Sequence, residues 1–179
     1  MALVGPPRIP IAELRNAILD GLNAGFTARA QTLATCRPFD PGGLTDADGK
    51  PLINTPALLL EIGPGELVEP PHRPLSGAVC YYGDKIEWRA YHIISSRPTD
   101  RDGDGLTERA DPDLYTAEMT AITRAIVYAQ GGQTWGHAQT VSQPEPGATS
   151  EPVDMKLPGH AARVLRWQQS ALLVEDYNQ

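Results

Sequence analysis

The densest run of potential ligands lies between Asp100 and Asp111, in the segment DRDGDGLTERAD. Asp100, Asp102 and Asp104 alternate and Gly105 follows. At that spacing carboxylates can wrap a hard cation while the glycine makes the sharp bend. Glu108 and Asp111 fall at the ninth and twelfth positions of such a loop, so the cofactor this pattern would take is a divalent cation, calcium or magnesium. Two features favour a plain solvated turn instead. The residues before the loop read as a strand rather than a helix, and the twelfth position holds the shorter Asp where Glu is usual.

The remaining candidates for chemistry do not converge. His72, His92, His137 and His160 are scattered, with no pair at ligand or triad spacing. His92 alternates with Trp88 and Ile94 on one strand face, which suits a packed histidine better than a base. Ser95-Ser96 lacks a nucleophile elbow, and Cys36 and Cys80 form neither a CxxC pair nor a Cys/His cluster. Gly63-Pro64-Gly65 puts proline where a phosphate cradle needs an N–H. No catalytic or cofactor-binding residue is therefore assigned, and the chain is not read as an enzyme.

A net charge of −7 argues against gripping duplex DNA through a basic face. The cysteines, far apart in unlike contexts, read as separate reduced thiols of a cytoplasmic protein. The first ten residues, MALVGPPRIP, lack the charged and apolar regions of a signal peptide, and no apolar stretch is long enough to span a bilayer. These features predict a protein made and used in solution.

The elements that would position these residues follow from periodicity. Ile11, Leu14, Ile18 and Leu22 form one stripe after Pro10, predicting a helix over 11–24 that Gly25 stops. Leu58, Leu60 and Ile62 share a face of a short strand, 57–62, and Asp46-Ala-Asp48-Gly49 has the composition of a tight turn. Residues 78–82 and 85–95 read as a hairpin about Gly83-Asp84. Asp111-Pro112 starts a helix over 114–130, with Tyr115, Met119, Ile122, Ile126 and Ala129 as its buried stripe and Gly131-Gly132 as its end. A short strand around Trp135 and a long last strand, 163–176, complete the list. The expected fold is α+β: a single domain over 1–179, with a mainly antiparallel or mixed sheet of four or five strands covered by two helices.

Three long polar loops, 36–55, 63–76 and 142–160, exceed what a compact monomer needs. Trp88, Trp135 and Trp167 read as core residues on strands. Arg89, Arg163 and Arg166 are the interface candidates, on strand faces opposite the core, since Arg and aromatic side chains dominate contacts between subunits. Arg is the dominant cation, twelve against three Lys, a bias that suits forked interface hydrogen bonds and equally a GC-rich coding sequence.

In this order of elements the chain resembles the tail terminator family of long-tailed bacteriophages. The resemblance spans roughly residues 8–176 and rests on the helix at 11–24, TPALLLEI at 55–62 and EWRAYHIISS at 87–96. It continues through the helix at 115–130, Trp135-Gly136 and ARVLRWQQSALL at 162–173. It implies a structural virion protein of the tail and neck, assembled in the host cytoplasm as a homohexameric ring. Such a ring ends polymerisation of the tail tube protein and then joins the tail to the head-completion or connector protein. Genomic DNA would pass through its lumen without specific binding. Segment 99–112 departs from the simplest family pattern, so Asp100, Asp102 and Asp104 are not carried over as ligands, although some relatives assemble with divalent cations. The alternatives are another head–tail neck adaptor, a small calcium-stabilised binding module, or a hydrolase lacking a familiar signature.

Overall fold

The computed structural model describes residues 8–63, 66–67, 84–95 and 111–173. Two helices and a mixed sheet make up this part of the chain, the α+β arrangement expected from periodicity. In chain order they are α1 (Ile11–Thr27), β1 (Thr35–Pro38), β2 (Ala57–Ile62), β3 (Glu66–Leu67), β4 (Asp84–Ser95), α2 (Pro112–Val127), β5 (Thr149–Pro152) and β6 (His160–Ala171). Five strands run in the order β1-β2-β4-β6-β5, and the two-residue β3 pairs with β4 beside that path. The β1–β2 pair is parallel. The other pairs are antiparallel.

Alternation along β4 and β6 divides the sheet into two unlike faces. Trp88 lies opposite Trp167 and Ala90 opposite Leu165 on the face that α1 and α2 cover. Leu14, Ile18, Leu22 and Phe26 of α1 pack there with Leu58 and Leu60 of β2. Among the described residues, no acceptor meets the buried indole N–H groups of Trp88 and Trp167. Their ring area therefore outweighs a desolvation cost of about 1–3 kcal/mol each. On the other face a smaller cluster gathers Ala57, Leu59, Ile93 and Ala162 under Leu44, Ile53 and Leu157. β2 is thus covered on both sides, which explains its nearly unbroken apolar run.

Several boundaries differ from the expectations. Loops 36–55 and 142–160 each contain an edge strand, β1 and β5, and the first also holds a 3-10 turn at Pro41–Gly43. Both strands are four residues long and polar, so they carry no readable alternation. The turn at Asp46–Gly49 is as expected: the Asp46 carboxylate accepts from the N–H groups of Asp48 and Lys50, and Gly49 has φ +76°. Asp84 belongs to β4, paired with Leu67 and Ala171, rather than to a hairpin turn. The proposed partner strand 78–82 lies outside the described residues. Trp135 sits in a turn with φ +54°, not on a strand. The last strand starts at His160 and ends at Ala171, beyond which Leu173 bridges Ile9.

α2 begins as expected, the Asp111 carboxylate accepting from the N–H groups of Asp113 and Leu114. Its buried face is more polar than the apolar stripe suggests: Thr116, Thr120 and Thr123 are buried with Met119 and Ile126, while Tyr115, Ile122 and Ala129 are only partly covered. Gly25 does not stop α1, which continues to Thr27. A Cβ on Gly25 would come within 2.5 Å of Ile126 Cδ1 and 2.7 Å of its Cγ1, so the glycine lets the helices approach closely.

Gly25→Ala is therefore expected to destabilise the fold, although alanine is the better helix former. Overpacking costs of about 1–3 kcal/mol outweigh a propensity gain of about 1 kcal/mol. Urea denaturation of the variant, alone and combined with Ile126→Val, checks this: the pair should regain part of the loss.

Candidate subunit interface

The face away from the helices is capped by apolar residues at one end and left polar at the other. In register, Glu61 of β2 faces Arg89 of β4, and Arg89 faces Arg166 of β6. Two arginines directly across an antiparallel pair repel unless neighbouring carboxylates hold them. Glu87 and Glu61 do this for Arg89, accepting its Nε–H at 2.6 Å and its Nη1–H at 3.4 Å. Glu151 pairs with Arg166 at 2.5 Å, and Lys85 pairs with Glu145 at 2.8 Å. The hydrogen bond that Arg89 donates to Glu87 is the main cause holding the Arg89 pKa above its ordinary value. Gly63 lies over this pair, where a Cβ would stand 3.0 Å from Glu87 Oε1.

Tyr91 joins the polar row to the apolar end. Its hydroxyl donates to Glu61 at 2.6 Å, and its ring stacks on Phe39 with centroids 4.9 Å apart. Burial first, then the hydrogen bond to Glu61, pushes this phenol up to about 12. It stays a neutral donor at physiological pH. Arg89 and Arg166 are each paired with carboxylates of this row.

The three candidate arginines do not stay together. Arg89 and Arg166 share the open face. Arg163 instead faces His92 on the helix side, its Nε buried and without a partner among the described residues. His92 is completely buried, with Nε2 2.7 Å from Thr123 Oγ1 and Nδ1 3.2 Å from Thr120 Oγ1. The Thr120 hydroxyl gives its only proton to the Thr116 carbonyl at 2.8 Å, so it must accept from His92 Nδ1–H. Nε2 of the neutral ring then accepts from Thr123. This is a satisfied core histidine, as its strand position implied.

The Cys36 thiol is pushed up to about 11, by burial first and by the Asp20 charge second, and is no ready nucleophile. His160 Nδ1 lies 2.9 Å from the Pro158 carbonyl oxygen. His72, Cys80, Asp100, Asp102 and Asp104 lie outside the described residues. Among the described residues, no group of three or more His, Cys, Asp or Glu side chains could hold a metal ion.

Periodicity did not single out Gln169. Its amide accepts from Trp135 Nε1 at 3.0 Å and donates to the carbonyls of Gln133 and Ser142 at 2.7 and 2.6 Å. One buried side chain thus pins segment 133–142 to the sheet, beside a cleft of about 380 Å³ lined by Gly21, Gly25, Arg29 and Trp135. The only clue in the sequence is an amide on the Leu165, Trp167, Ala171 face of β6.

No protein-family model matches the chain, and no curated protein matches it. Among the described residues, no helix is long and apolar enough to cross a membrane.

His92 should make stability depend on pH. Burial is the first cause lowering its pKa to about 4, reinforced by the Arg163 charge and opposed by a hydrogen bond at the Arg163 backbone. Between the unfolded value of about 6.5 and about 4 the unfolded chain binds more protons, so stability falls as pH drops through that window. The loss approaches about 3 kcal/mol by that linkage. Denaturation midpoints from pH 7 to 4 measure it, and His92→Gln should remove this part of the slope.

Proposed function

We propose that this chain is a ring-forming structural protein of the tail terminator type, which ends a phage tail tube and joins it to the head-side connector. The observation that carries the reading is the order of elements, α1–β2–β4–α2–β6, at the positions where the resemblance to that family lies. A sheet with two unlike faces supports it. Helices close one face, while the other keeps a half-buried row of Glu61, Glu87, Arg89 and Arg166. Forked guanidiniums among carboxylates suit a second copy of this chain better than a small substrate.

The charge balance fits the same role. Six copies at −7 each give a ring of about −42. Negative potential along the lumen repels DNA, so a genome passes without adhering. In this reading the protein is a component of the virion neck, its partners being further copies of itself, the tail tube protein and the connector.

Light scattering at increasing protein concentration tests the reading. The expected species is about 116 kDa, six copies of the 19.3 kDa chain, appearing as a ring in negative stain. Arg166→Glu should lower the assembled fraction while moving the melting temperature of the monomer little, because its partner Glu151 is exposed and ion pairs at the surface contribute little to folding. A 19.3 kDa particle at every concentration that fails to add to tail tubes would count decisively against the proposal.

A further inference from the structure

The two sides of the five-strand path are where another chain could extend the sheet, because a side strand keeps unpaired N–H and C=O groups. The hydrogen-bond register fixes which groups those are. In β1 the Phe39 N–H donates to the Leu60 carbonyl at 2.8 Å, with Pro38 opposite Leu60 in the parallel register. Residues 35, 37 and 39 therefore turn their backbone groups inward to β2, and Cys36 and Pro38 turn theirs outward. In β5 the Val153 N–H donates to the Ala162 carbonyl at 3.0 Å, with Glu151 opposite Val164 and Thr149 opposite Arg166. The same alternation turns Ser150 and Pro152 outward.

Proline has no N–H to donate. Each side strand has two outward positions, and at each strand one of the two is proline. Among the described residues, what is left is a single donor per side, Cys36 on β1 and Ser150 on β5. Each strand is also only four residues long and carries a charged residue, Arg37 or Glu151.

We propose that Pro38 and Pro152 block strand addition at the two sides of the sheet, so that copies of this chain meet through faces and never by continuing the sheet. The device has a clear use. Pairing of β5 in one copy with β1 in the next would be a head-to-tail contact, and such contacts propagate into open filaments unless a rotation closes them. This protection belongs to the fold itself and holds whether or not the copies form a ring.

Pro38→Thr/Pro152→Thr restores an outward N–H at each strand. Under reducing conditions, which keep Cys36 from forming artificial links, the folded double variant is expected to gain concentration-dependent association. Its mass should rise to multiples of the wild-type value, with binding of a cross-β dye. Pro38→Ala/Pro152→Ala restores the same donors and serves if the threonine pair fails to fold. In the wild type, amide exchange at Cys36 and Ser150 should stay fast at high concentration, while the inward amides of Arg37 and Glu151 exchange slowly. A folded double variant with the wild-type mass distribution overturns the proposal. So does protection of the Cys36 or Ser150 amide in the wild type as concentration rises.

Discussion

The pairing of β4 with β6 is the constraint on which the rest of the structure depends. Twelve consecutive residues match, from Asp84 opposite Ala171 to Ser95 opposite His160. A one-residue slip of β6 against β4 would send Trp167 outward and bring Arg166 into the core. Burial therefore fixes the register, and the register brings the two arginines face to face. The charged row on the open side is a consequence of how the tryptophans pack on the other.

The core gains specificity from polar groups placed where they can be fully satisfied. His92, Thr116, Thr120 and Thr123 form a chain of hydrogen bonds ending on a helix carbonyl. Gln169 performs the same service for the Trp135 turn. A buried amide or imidazole with every partner in place selects one arrangement among many of similar apolar packing. Gly25 adds a steric condition, since α1 meets Ile126 closely only where no Cβ intervenes.

Long periodic segments were legible in the sequence because burial imposes its period directly. The stripe of α1, the capped start of α2 and the alternation of β4 and β6 all belong to this class. β1 and β5 were not legible: Thr35-Cys36-Arg37-Pro38 and Thr149-Ser150-Glu151-Pro152 are too short and polar to show a face, and they exist because a neighbouring strand supplies the hydrogen bonds. Arg89 and Arg166 could be placed on a polar face by counting in twos. Their carboxylate partners could not, because Glu61 and Glu151 reach them only through a register that local sequence does not encode. Arg163 is different: counting in twos puts it with Leu165 and Trp167 on the core face, so the expectation of an interface role ran against the alternation, and only its pairing with His92 needed the register.

The separation of paired residues in the chain also sets a schedule for synthesis. Ser95 meets a residue 65 positions later, His160, and Asp84 waits for Ala171. Ile9, at the entry to α1, donates its N–H to the carbonyl of Leu172. A nascent chain that has already made both helices, β2 and β4 still lacks β6, the strand that pairs along the whole of β4. Its large apolar surfaces stay uncovered until β6 leaves the ribosome, in the state most open to aggregation or chaperone capture. Folding of this unit is in effect gated by the emergence of its last strand.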